Sequence, residues 1–125
     1  MIKGNEEVWI RHFFGPAGED GTIPAESIRE YIRCYSIENT PATGASYYRA
    51  MGLDAQRWAT MGGQKFSMPT LYIHGSQDTV IIKENLNHIE DCFDSIRVES
   101  LPARHFVQEE KPREVAELMN DFFFD

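Results

Sequence analysis

Apolar residues recur at helical spacing in the first half of this chain and change to strand spacing near residue 65. Val8, Trp9, His12 and Phe13 fall at i, i+1, i+4 and i+5, which predicts a short helix over Glu6 to Phe14 with that stripe facing inward. Glu6 and Glu7 suit the positive end of its dipole, and Gly15-Pro16 stops it. Ile28, Tyr31, Ile32 and Tyr35 mark a second helix from Pro24, a residue suited to a first turn. A third helix is expected from Thr43 to about Gly52, with Tyr47, Tyr48 and Met51 near one face; Gly62-Gly63 breaks the pattern beyond it.

The second half reads differently. Met68 to His74 is short, β-prone and nearly continuous in apolar character, as in a strand covered on both faces. Gly75-Ser76-Gln77-Asp78 turns the chain. Ile82, Leu86, Ile89 and Phe93 predict a helix over Ile82 to Phe93. Ile96 to Leu101 alternates as a second strand, and Val115, Leu118, Met119 and Phe122 line a last helix from Pro112 to Phe124. A helical crossover of this length joins parallel strands. The expected fold class is therefore α/β: a helical segment, 1–64, followed by β-α-β-α, 65–125.

Composition narrows the function classes. The balance is 12 basic against 20 acidic residues, a net charge of −8. A nucleic-acid binder needs a basic footprint, and an anionic membrane surface attracts one, so neither partner is expected. The charged start, Met1 to Glu7, lacks the apolar core of a secretory signal. Cys34 and Cys92 lie far apart in the sequence and are read as two reduced core thiols of a cytoplasmic protein. His12, His74 and His88 have no acidic or thiol partners at ligand spacing, so no metal is expected.

In an open α/β sheet, working side chains collect beyond the carboxyl ends of strands. Asp78 lies four residues past His74, and His105 four past Leu101. If the two strands are adjacent and parallel, both turns open on one edge. An Asp facing a His can fix the imidazole tautomer and let the ring act as a general base. Spacing alone leaves a second reading open, with Asp78 capping the next helix and His105 an incidental loop residue.

Met68-Pro69-Thr70-Leu71-Tyr72-Ile73-His74-Gly75-Ser76-Gln77-Asp78, followed by Leu101-Pro102-Ala103-Arg104-His105-Phe106 and the run to Pro112, resembles the C-terminal part of α/β-hydrolases. The likeness is to the epoxide hydrolase and haloalkane or haloacetate dehalogenase branch. It implies Asp78 as the orienting acid and His105 as the base. Ala45-Ser46-Tyr47-Tyr48-Arg49-Ala50-Met51 is similar to a "Y-Y-R-A" segment of the helical cap in that branch. There a tyrosine donates a hydrogen bond to the epoxide oxygen; Tyr48 is the match, with Tyr47 as the alternative. Trp9 to Phe14 looks like an earlier cap helix, which makes Trp9 a substrate-binding candidate. The resemblance implies a partial α/β-hydrolase fold, a small organic substrate, an ester intermediate and no cofactor.

The departures carry weight. No residue fits the nucleophile of these enzymes, an Asp, or a Ser in G-x-S-x-G esterases, on the sharp turn after an earlier strand. The chain reads as the C-terminal half of a full member and is expected to be inactive alone. Arg104 stands where the family usually has Gly before the catalytic His, a cation that could crowd the ring. Two parallel strands make a poor sheet by themselves, so self-association or a missing N-terminal half is expected. The alternatives are a silent module acting in assembly and the C-terminal part of a serine esterase.

Overall fold

Residues 2–124 are described by a computed structural model, which separates into one unit up to Gly62 and a second from Gly63 onward. Helix α1 (Glu6–Phe14) opens the first unit. Its buried side is not the expected one. Val8 is 68% and Phe13 44% exposed, whereas Ile10 and Phe14, one turn apart, are buried with Ala17, Ile23 and Ile28. The helix carries two overlapping apolar stripes, and the chain after it selects between them. Gly15, at φ 55°, leads into a 3-10 turn (Gly15–Gly18), and the Tyr31 ring of α2 (Ala25–Tyr35) lies 5.0 Å from that of Phe14. The other stripe gathers its own rings, Trp9 with His12 and with Phe13, each pair at 6.4 Å.

Helix α3 runs Thr40–Thr60, well past the expected end at Gly52. A helical glycine costs only about 1 kcal/mol relative to alanine, which is too little to end a helix whose next residues are good formers. Termination comes at Gly62 and Gly63, with φ of 28° and 75°. Gly44 lets α2 approach: a Cβ there would sit 2.6 Å from the Tyr35 hydroxyl.

In the second unit, β1 (Thr70–Gly75) and β2 (Ile96–Leu101) pair in parallel along their whole length, from Thr70 opposite Ile96 to Gly75 opposite Leu101. Before them, Phe66 bridges to Phe93. Side-chain alternation puts Tyr72, His74, Val98 and Ser100 on one face. Leu71, Ile73, Arg97, Glu99 and Leu101 take the other, where Arg97 pairs with Asp121 of α5 (Pro112–Phe124). A short helix, α4 (Val107–Glu110), precedes α5, and both pack against β1.

The segment between the strands is not the expected helix. It forms two 3-10 turns, Lys83–Leu86 and Ile89–Cys92. Between them Asn87 is extended and His88 is left-handed at φ 66°. Asparagine offers the backbone local side-chain bonds that compete with a helix, so the apolar period at 82, 86, 89 and 93 does not prevail. The cysteines also depart from expectation: Cys34 is half-buried and Cys92 exposed, so neither is a core thiol. Cys92 sits in the second 3-10 turn, without the helix face that would have turned it inward. Among the described residues, no helix is long and apolar enough to cross a membrane.

Candidate active site

The carboxyl ends of β1 and β2 are laced together by backbone. Ser76 N–H donates to Leu101 O at 2.8 Å and Gln77 N–H to Ala103 O at 2.9 Å. Gly75 is required at this approach, because a Cβ there would lie 2.0 Å from the Arg104 carbonyl oxygen. Ala103, at the contact, is 1% exposed. The sheet register thus carries through into the two loops, and each brings one titratable side chain to the same edge.

Asp78 is held at both oxygens. Oδ1 accepts the backbone N–H of Val80 at 2.7 Å and of Ile81 at 3.1 Å. Oδ2 lies 2.8 Å from Nδ1 of His105. Its side chain is 5% exposed, against 37% for His105. Burial pushes the Asp78 carboxyl up, but the His105 contact and the two backbone amides outweigh it and hold the group below its ordinary range. An ionised carboxylate can only accept, so the proton of this contact belongs on Nδ1 of His105. Nε2 is then the lone-pair nitrogen. The edge of the ring meets Phe106 at 5.0 Å and 78°. Asp78 therefore caps a turn and holds a histidine at once, joining the two readings its spacing left open.

The cation beside His105 has its own partner. Arg104 Nε donates to Glu110 Oε2, and the Arg104 backbone N–H donates to Oε1, both at 3.1 Å. Glu110, 6% exposed, stands at the end of α4. Neither α4 nor this contact was legible in the pattern. The signal was a glutamate six residues past Arg104, a spacing common to unrelated residues.

The other candidates lie in the first unit. Trp9 is half-buried on α1. Tyr47 and Tyr48 are on α3, 79% and 61% exposed, and neighbouring Arg49 bonds back to Ala42 O and Ser46 Oγ of its own helix. In the second unit, a cavity of about 560 Å³ is lined by His74, Ser76, Asp78, Lys83, Asn87 and Ser100, among others. Asp78 lines this cavity, whereas His105 is not among its lining residues. No group of three or more metal-binding side chains occurs among the described residues.

Known proteins resemble this chain in sequence and in fold. Residues 42–116 match the family described as Serine hydrolase (FSH1). Epoxide hydrolase A of Mycobacterium tuberculosis (strain ATCC 25618 / H37Rv) is 28% identical over 98% of this chain and 38% of its own length. Among solved structures, Cfl2 of Burkholderia cenocepacia superposes with a TM-score of 0.78 at 23% identity, covering 98% of this chain and 42% of that one. The epoxide hydrolase CorEH gives 0.76 at 22%, covering 98% and 44%. An epoxide hydrolase from Bacillus megaterium, in its M145A form, gives 0.70 at 28%, covering 92% and 43%. The chain thus spans about two fifths of the length of these relatives.

Proposed function

We propose that this chain, which belongs to the serine hydrolase (FSH1) family and has the α/β-hydrolase fold, carries the acid and base of an epoxide hydrolase-like site. The observation that carries this reading is the 2.8 Å contact of His105 Nδ1 with an Asp78 carboxylate already fixed by two amides. The substrate is a small epoxide. A nucleophilic carboxylate from outside residues 1–125 attacks a ring carbon. The C–O bond breaks, an ester forms, and the leaving alkoxide takes a proton from Tyr48, with Tyr47 as the alternative. A strongly basic alkoxide gains most from such a positioned donor.

His105 Nε2 then takes a proton from water while the water oxygen attacks the ester carbonyl. Collapse of the tetrahedral adduct breaks the ester C–O bond, the departing alkoxide takes the imidazolium proton and leaves as the diol, and the proton of the regenerated carboxyl group returns to the tyrosine phenolate. Asp78 stabilises the imidazolium formed on the way. Residues 1–64 serve as the cap segment, with Trp9 as a substrate-binding residue, and residues 65–125 as the C-terminal core. No cofactor enters, and the free thiols of Cys34 and Cys92 suit a cytoplasmic setting.

A second reading is favoured by the family's own description: a serine nucleophile, with the same pair activating first the serine and then water. A third, a silent module acting in assembly, is favoured by the amount of apolar surface left open, such as Trp58, Phe66 and Phe123.

The test is turnover of the purified chain and of His105→Ala against an epoxide, a haloacetate and a p-nitrophenyl ester. With the nucleophile outside the chain, both proteins are expected to be inactive. Turnover abolished by His105→Ala would place the nucleophile within residues 1–125 or their assembly and overturn that part of the proposal. Turnover equal in both would overturn the role of His105.

A further inference from the structure

Beyond the pair itself, the geometry points to Glu110 as the residue that positions His105, acting through Arg104. This rests on the reading of Asp78 and His105 as the working pair. Its own grounds are separate. The Glu110 carboxylate is almost wholly withdrawn from water, at 6% exposure. A carboxylate is costly to bury unless both oxygens are engaged. Here Oε1 takes the Arg104 backbone N–H and Oε2 takes Nε of the same residue, so one side chain grips both the main chain and the head group of the residue preceding His105.

That grip acts where freedom would matter most. The loop from Pro102 to Phe106 belongs to no helix or strand. On one side the Arg104 carbonyl packs over Gly75, and Gln77 N–H reaches Ala103 O at 2.9 Å. On the other side the Arg104 amide is tied to Glu110. The Ala103–Arg104 peptide unit is therefore held at both ends, its carbonyl by the β1 loop and its N–H by α4, while the next carbonyl, that of Arg104, packs over Gly75; His105 comes directly after. The same contact pairs the cation that precedes His105 in sequence with an anion, while the ring itself meets Asp78.

The test is proton NMR of the full chain, tracking the downfield Nδ1–H resonance that His105 shows when it donates to a carboxylate. The wild type should show it, and Asp78→Asn should lose it. In Glu110→Ala the resonance should broaden into water exchange, with an exchange rate roughly tenfold faster, the scale of losing one charge-assisted hydrogen bond. Amide signals of β1 and β2 should stay in place. Glu110→Gln keeps the shape but only one acceptor oxygen and turns its NH2 towards the other Arg104 donor, so its exchange should be faster than in the wild type and slower than in the alanine form; it serves if the alanine variant fails to fold. An unchanged resonance in folded Glu110→Ala, or in Glu110→Gln where the alanine form does not fold, would overturn the positioning role. Absence of the resonance in the wild type would instead overturn the Asp78–His105 pairing itself, and the inference with it.

Discussion

Asp78 shows how a single carboxylate gains a fixed direction. Two backbone amides take one oxygen and His105 takes the other, so rotation of the group breaks a bond whichever way it turns. These donors hold the folded carboxyl below its ordinary range despite burial. A lowered folded value means that the ionised form favours the native state. Its contribution is complete above the unfolded value, about pH 4, and is lost as pH falls through the lowered folded one. The urea midpoint, followed by circular dichroism, should therefore drop more steeply below about pH 4 in the wild type than in Asp78→Asn. Parallel acid limbs in the two proteins would contradict this. Asp78 and His105 were legible as candidates because each follows a strand end, although spacing left their pairing open and the resemblance to α/β-hydrolases pointed to it. The grip of Glu110 on Arg104 was not, since it depends on a four-residue helix with no period to detect.

Elements were legible where one stripe dominated. α2, β2 and α5 form where their apolar spacing puts them, although in β2 Val98 is exposed and Glu99 half-buried. α1 carries two stripes, and only the reversal at Gly15 decides which is buried. The 3-10 turns at 83–92 defeat a clear period because Asn87 and His88 leave helical geometry. Between the strand ends, a close backbone crossing at Gly75 couples the two loops. Gly75→Ala places a methyl group 2.0 Å from the Arg104 oxygen, so backbone must move. The expected cost is about 2–3 kcal/mol in denaturant unfolding, at the upper range of overpacking, with displacement of the His105 signals. A neutral effect would mean that the crossing is looser than described.

Across the whole chain, apolar surface exceeds what it covers. Among the described residues the buried apolar side chains are Ile10, Phe14, Ala17, Ile23, Ile28 and Ala103, while Tyr47, Trp58, Phe66, Met68, Val98 and Phe123 stand exposed. A two-stranded sheet is marginal in water without further cover. We propose that the chain associates, with itself or with the remainder of an α/β-hydrolase fold. Sedimentation of the purified chain should show a mass that rises with concentration; a monodisperse, stably folded monomer over the range would count against it.

We propose that Asp78 fixes the tautomer of His105 and leaves Nε2 as the base. Nitrogen-15 NMR of the ring-labelled chain, with the imidazole neutral, reads the tautomer. A protonated Nδ1 and a lone-pair Nε2 are expected, reverting to a mixture of tautomers in Asp78→Asn. A wild-type ring protonated on Nε2 would contradict it.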